Sequence, residues 1–163
     1  MKVVFDLKAE TLEWDGHAPV RCTCRVRNEL NGQRPKVSPV VYSENADGSR
    51  GVPYMPRQFP RGTWKIVHVK DVPPSNDYEY PIFVSSNAHQ PVDRWVEVGG
   101  VYSIPAGEVV EDYGYGFHDS TSRTTLGCGR IIESEGRHDH VLAFAADVRA
   151  AFARGEVVGL TVV

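Results

Sequence analysis

The stretch Gly116-Phe117-His118-Asp119-Ser120, followed shortly by Thr125-Leu126-Gly127-Cys128-Gly129-Arg130, gathers a base, a nucleophile and a glycine-rich turn within one short span of the chain. Cysteine is the most nucleophilic side chain near neutral pH. A histidine within hydrogen-bond reach can take its proton, and the pair then supplies what acyl transfer requires. Glycines on both sides of Cys128 leave the backbone bare. Bare N–H groups beside a nucleophile can be aimed at the oxygen that becomes negative during attack, the largest electrostatic contribution in such reactions. On this reading Cys128 is the nucleophile, His118 the base and then the acid, and the amides of Gly127 and Cys128 the oxyanion donors. Arg130 either holds the loop by bonding carbonyls or meets a substrate carboxylate, since its five fixed donors suit both tasks. The competing reading of Cys128 is an inert buried thiol, but flanking glycines fill little space and a core site has no need of them. Tyr113, Tyr115 and Trp64 line a groove or simply pack on strands.

These residues need a scaffold, and the chain reads as mainly β. Val3 to Leu7, Thr11 to Trp14 and Val20 to Asn28 alternate as three strands, with Asp15-Gly16 as the turn between the second and third. In Val20 to Arg27 the alternation places Cys22 and Cys24 on one face and the arginines on the other, as small core residues of a half-buried strand. Glu29 to Arg61 is broken by prolines and by Asn45, Asp47, Gly48 and Gly51, so it reads as a long loop, either disordered or a flap over the site. Gly62 to Val69 alternates again, with Trp64, Ile66 and His68 on one face. Tyr80 to Ser85, Arg94 to Val98, Val101 to Ile104 and Tyr113 to His118 are further short strands. Asp139 to Arg154 repeats apolar residues at Val141, Ala145, Val148 and Phe152 and so predicts a helix, capped by Asp139 and ended at Gly155, with Asp147, Arg149 and Arg154 facing away. Val157 to Val163 closes the chain as an apolar strand.

With 163 residues the chain fits one domain, 1–163, because a second would leave neither half a comfortable core. A formal net charge of -3 argues against a general nucleic-acid binder. No run approaches the roughly 18 apolar residues of a membrane helix. The opening Met1-Lys2-Val3-Val4-Phe5-Asp6 reaches a carboxylate too early for a signal-peptide core. Three cysteines cannot all pair within one chain. His138-Asp139-His140 lacks a third ligand nearby, so neither a metal nor another cofactor is expected.

The order of these features resembles the L,D-transpeptidase catalytic domain, the YkuD-like fold. Val3-Val4-Phe5-Asp6-Leu7 with Thr11-Leu12-Glu13-Trp14-Asp15-Gly16 is similar to its first hairpin, and Phe59-Pro60-Arg61-Gly62-Thr63-Trp64-Lys65-Ile66 to its Pro-x-Gly-x-aromatic strand entry. His118 matches the upstream histidine, and Thr125-Leu126-Gly127-Cys128-Gly129-Arg130-Ile131 matches the Ser-His-Gly-Cys-Val-Arg-Met motif. The chain departs from the pattern at Leu126, where His or Arg is usual, at Gly129, where a branched apolar residue is usual, and in a shorter His-to-Cys separation. It is closer to compact effector-like or phage-borne variants.

The resemblance implies a β-sandwich or barrel of mixed strands with one packed C-terminal helix and a terminal strand. It further implies a cysteine enzyme acting on peptidoglycan tetrapeptide stems through a thioacyl intermediate. Resolution by an amine, water or a free D-amino acid gives transpeptidation, L,D-carboxypeptidase cleavage or exchange. Cys128, His118 and Gly127 are then catalytic, and Arg130, Asp119, Ser120, Thr125 and Tyr115 bind substrate or support the site. The resemblance also implies that the histidine is oriented through its other nitrogen, by Asp119, Ser120 or a backbone carbonyl. Such an enzyme works in the periplasm or cell wall as a monomer. Without a signal it is delivered by another route or is a mature fragment, and an effector would bring secretion machinery and an immunity protein as partners. The alternative from another class is a non-catalytic peptidoglycan-binding or structural β module.

Overall fold

The computed structural model of the chain describes residues 1–26, 42–72, 82–99, 101–103, 105, 107–120, 127–134 and 136–163. Its strands run in chain order as β1 (Lys2–Asp6), β2 (Thr11–Trp14), β3 (Val20–Thr23), β4 (Tyr42–Glu44), β5 (Arg50–Pro53), β6 (Gly62–Asp71), β7 (Ile82–Ser86), β8 (Gln90–Asp93), β9 (Val96–Val98), β10 (Val101–Ser103), β11 (Val109–Asp112), β12 (Gly116–Ser120), β13 (Gly129–Ile132) and β14 (Val158–Val162). The helix α1 (Asp139–Ala153) lies between the last two. Alternation in β1 and β2 buries Val3, Phe5, Leu12 and Trp14 and exposes their neighbours, so each strand turns one face to a common core.

Eight strands close that core into a barrel in the order β1-β14-β6-β7-β12-β13-β3-β2. Two pairs are parallel, β1 with β14 and β12 with β13, and the other pairs around the barrel are antiparallel. The expected mainly β fold of mixed strands is therefore a closed barrel carrying, among the described residues, one helix. That helix stoppers one end. Phe144 packs against Phe117 (5.7 Å between ring centroids) and Trp14 (5.0 Å), and Trp14 Nε1 donates to Asp147 (2.9 Å). Replacing such a fully buried phenylalanine by alanine costs about 3–5 kcal/mol. At the other end the fully buried Phe59 enters from the segment before β6 and meets Phe5, Phe117 and Tyr115.

Several expectations are corrected. β3 stops at Thr23, and residues 27 and 28 of the longer strand expected there lie outside the described residues. The segment 29–61 is not one loop: 27–41 is not described, while 42–61 forms the β4–β5 hairpin and delivers buried Tyr54 and Phe59 to the interior. A bulge between Ile66 and His68 shifts the register of β6, so Val69 turns inward and His68 turns out. The unexpected strands β8 and β11 pair with each other, and the unexpected β13 joins the barrel. Gly116–Ser120 is the strand, two or three residues beyond the one expected from Tyr113. Asp139 does not cap α1: the N-cap is His138 without a side-chain cap bond, and Glu133 Oε1 accepts the N–H groups of His140 (2.6 Å) and Val141 (3.2 Å) instead. Asp147 does not face away but binds Trp14 and His17. Gly155 does end the helix, at φ +72°, with Glu156 N–H on Ala151 and Gly155 N–H on Phe152.

Candidate active site

The parallel ladder of β12 and β13 sets Phe117 opposite Gly129 and His118 opposite Arg130. Phe117 and Ile131 point into the barrel, so the alternating positions His118 and Arg130 share its outer face. One step back along the ladder, Cys128 comes opposite Gly116, whose N–H donates to the thiol. Strand spacing of about 4.8 Å and two residues of rise then separate the α-carbons of His118 and Cys128 by roughly 8 Å. Cys128 immediately precedes β13, at the barrel end that Phe59 plugs, and His118 is the central residue of β12.

The Cys128 thiol is half-buried, 3.9 Å from the Gly114 carbonyl oxygen. Burial pushes it up to about 11, with Asp112 and Glu44 adding to the rise and the Gly116 amide and Arg130 opposing it. His118 is buried, stacks on Phe83 at 5.8 Å, and is held down to about 3, by burial first and the Arg130 charge second. The resting pair is therefore a neutral thiol and a neutral imidazole. Among the candidates for orienting the imidazole, the backbone carbonyl is in contact: His118 Nδ1 lies 3.0 Å from the main-chain oxygen of Asp119. The Asp119 side chain turns to the opposite side of β12 and meets His138 Nδ1. Ser120 ends β12 opposite Ile132. Thr125 and Leu126 lie outside the described residues.

Gly127 adopts φ +124°, a backbone conformation that L side chains rarely take, and a Cβ there would come within 2.9 Å of the Arg57 carbonyl oxygen. Gly129 is required for a different reason, since its missing Cβ would meet the Phe117 ring at 2.5 Å and Cys22 Sγ at 3.2 Å. Phe117 fills the space that the branched residue of the resembled motif would need.

Tyr115 is a core residue whose hydroxyl donates to Asp112 (3.0 Å) and accepts from Gln90 (2.8 Å). Asp112 also accepts the Glu44 N–H (3.2 Å) and a bond from Tyr54. Burial raises its carboxyl to about 6 despite these bonds. The β4–β5 hairpin thus docks on the nucleophile's side, with the Glu44 carboxylate over Gly114. Asp112, Tyr54 and Glu44 were not legible in the sequence, because no spacing links them to Cys128. On the same barrel end a cleft of about 600 Å³ is lined by Arg57, Gln58, Phe59, Arg61 and Gln90 among others. Arg57 is paired there with Asp93 at 2.9 Å.

Among the described residues no group of three or more His, Cys, Asp or Glu side chains converges to hold a metal ion, and no helix is long and apolar enough to cross a membrane. No family model, curated protein or solved structure matches the chain.

Proposed function

We propose that this protein is a cysteine acyltransferase of the L,D-transpeptidase (YkuD-like) type, acting on peptidoglycan tetrapeptide stems in the periplasm or cell wall. The observation that carries the reading is the parallel pairing of β12 with β13, which gives His118, Arg130 and the half-buried Cys128 one face at one end of the barrel. The Asp119 carbonyl accepts from His118 Nδ1, so Nε2 carries the lone pair of the neutral imidazole. A turn of the Cys128 side chain from Gly114 toward the imidazole completes the pair, and such catalytic contacts commonly tighten only with substrate bound.

In the reaction the thiol proton passes to His118 Nε2 as the sulfur bonds to the carbonyl carbon preceding the terminal D-alanine. Because both groups rest neutral, transfer accompanies C–S bond formation. The tetrahedral oxyanion is met by the Cys128 and Gly127 amides. The C–N bond then breaks, His118 returns its proton to the departing D-alanine amine, and a thioester remains on Cys128. An acceptor amine or water attacks that thioester and restores the thiol. The cleft carrying Arg61 supplies a cationic side chain for a carboxylate of a stem peptide.

Mass spectrometry of tetrapeptide muropeptides incubated with the protein tests the reading. Loss, exchange or replacement of the terminal D-alanine, abolished in Cys128→Ala, is the expected result. Unaltered stems with the wild-type protein overturn it.

A further inference from the structure

Cys24 has a place in this site that alternation alone did not reveal. It lies just beyond β3, buried, with its thiol between two backbone groups: the sulfur is 3.0 Å from the Gly127 carbonyl oxygen and 2.9 Å from the Phe59 amide nitrogen. A carbonyl only accepts and an amide N–H only donates. The Cys24 S–H therefore donates to Gly127 while its sulfur accepts from Phe59. Burial favours the neutral thiol that this arrangement needs, raising Cys24 to about 12.

The consequence lies in the peptide unit between Gly127 and Cys128. In a trans peptide the C=O and N–H vectors point in opposite directions. The Gly127 oxygen is drawn toward Cys24, on the interior side of the turn, so the Cys128 N–H is turned away from the interior, toward the face that carries the thiol. Gly127 is held on its other side by the Arg57 backbone, which leaves no room for a Cβ. Phe59, immobilised in the barrel end by Phe5, Phe117 and Tyr115, anchors Cys24 in turn.

We propose that Cys24 is a positioning residue: its thiol clamps the Gly127 carbonyl so that the Cys128 amide is aimed as an oxyanion donor. This inference rests on the acyltransferase reading and adds to it a residue outside the His–Cys pair.

The test compares two reactions of Cys128. Acylation by a carbapenem passes through an oxyanion, whereas alkylation by iodoacetamide is a displacement at saturated carbon and does not. Both are followed by mass spectrometry with the modified peptide mapped to Cys128. In Cys24→Ala the maximal acylation rate should fall by about tenfold to a hundredfold, less than the loss of a whole oxyanion donor. The carbapenem concentration at half-maximal rate and the alkylation rate should stay close to wild type. Cys24→Ser, which keeps a donor and acceptor at this position, should recover most of the acylation rate. Should Cys24→Ala not fold, Cys24→Val, which fills the space without a donor, gives the same comparison.

Unchanged acylation in the folded Ala or Val variant, or parallel loss of acylation and alkylation, overturns the clamp. A wild-type protein that alkylates at Cys128 but is never acylated overturns the acyltransferase reading and the clamp with it.

Discussion

The Asp119 main-chain oxygen lies 3.0 Å from His118 Nδ1, while the Asp119 side chain reaches His138 on the other side of the strand. One residue thus fixes the tautomer of the imidazole and ties strand β12 to the start of α1. Because the carbonyl can only accept, Nδ1 carries the proton and Nε2 is the basic nitrogen.

His118→Gln removes that base without adding a charge. Acylation of Cys128 should slow by roughly 10²–10⁴-fold, while alkylation of the thiol at high pH, where hydroxide supplies the base, should be nearly unchanged. Rapid-quench mass spectrometry of the two reactions checks this, and equal rates of acylation in wild type and variant would remove His118 from the mechanism.

Burial and the Arg130 charge hold His118 down to about 3, so the folded chain leaves it neutral where an unfolded histidine, titrating near about 6.5, takes a proton. Between those values the unfolded state binds more protons, and this contribution to stability is lost as pH falls. Asp112 works in the opposite sense. Raised to about 6, it is protonated in the folded state over a range where the unfolded carboxyl, near about 3.9, is not, so its contribution fades as pH rises from about 4 to 6. NMR titration should show the His118 ring still neutral at pH 5, and a ring protonated at that pH would contradict the buried placement.

The Cys128 thiol, pushed up to about 11, keeps its proton well past the roughly 8.5 of an unfolded cysteine. Iodoacetamide alkylation should therefore have its midpoint near 11 in the folded protein and near 8.5 in urea. The folded state binds more protons across that interval, so urea-unfolding free energy should fall as pH rises through it. Asp112→Asn removes one of the charges that raise the thiol and should move the alkylation midpoint downward. A midpoint near 8.5 in the folded protein would show a thiol far more exposed than this site allows.

Gly129→Val places a branched side chain against the Phe117 ring and Cys22. Overpacking of this kind should destabilise the protein by about 1–3 kcal/mol. Combining it with Phe117→Ala should cost less than the sum of the two single changes, because each relieves the space the other demands. Urea denaturation of the double-mutant cycle measures the coupling, and strict additivity would refute the shared space.

Arg61→Gln leaves the His–Cys pair untouched and removes a cation from the cleft that Phe59 and Gln90 line. For a tetrapeptide stem KM should rise severalfold with kcat little altered, the pattern of lost uniform binding. An unchanged KM would exclude this cleft as the place where the stem's carboxylates are held.

What the sequence determined is local. The alternation of β1 and β2, the apolar repeat of α1 and the glycine that ends it are set by residues within a turn or two of one another, and they were legible because periods of 2 and 3.6 map directly onto a buried face. The proposed grouping of His118, Gly127 and Cys128 rests on residue chemistry at short spacing rather than on a period. The tertiary structure alone decided that β12 and β13 lie side by side and parallel, that Val69 rather than His68 faces inward, that Phe59 leaves an apparent loop to plug the barrel, and that Cys24 meets Gly127. Strand partners, bulges and contacts between residues as distant as 24 and 127 depend on which surfaces are buried together. No period within a single segment encodes that choice.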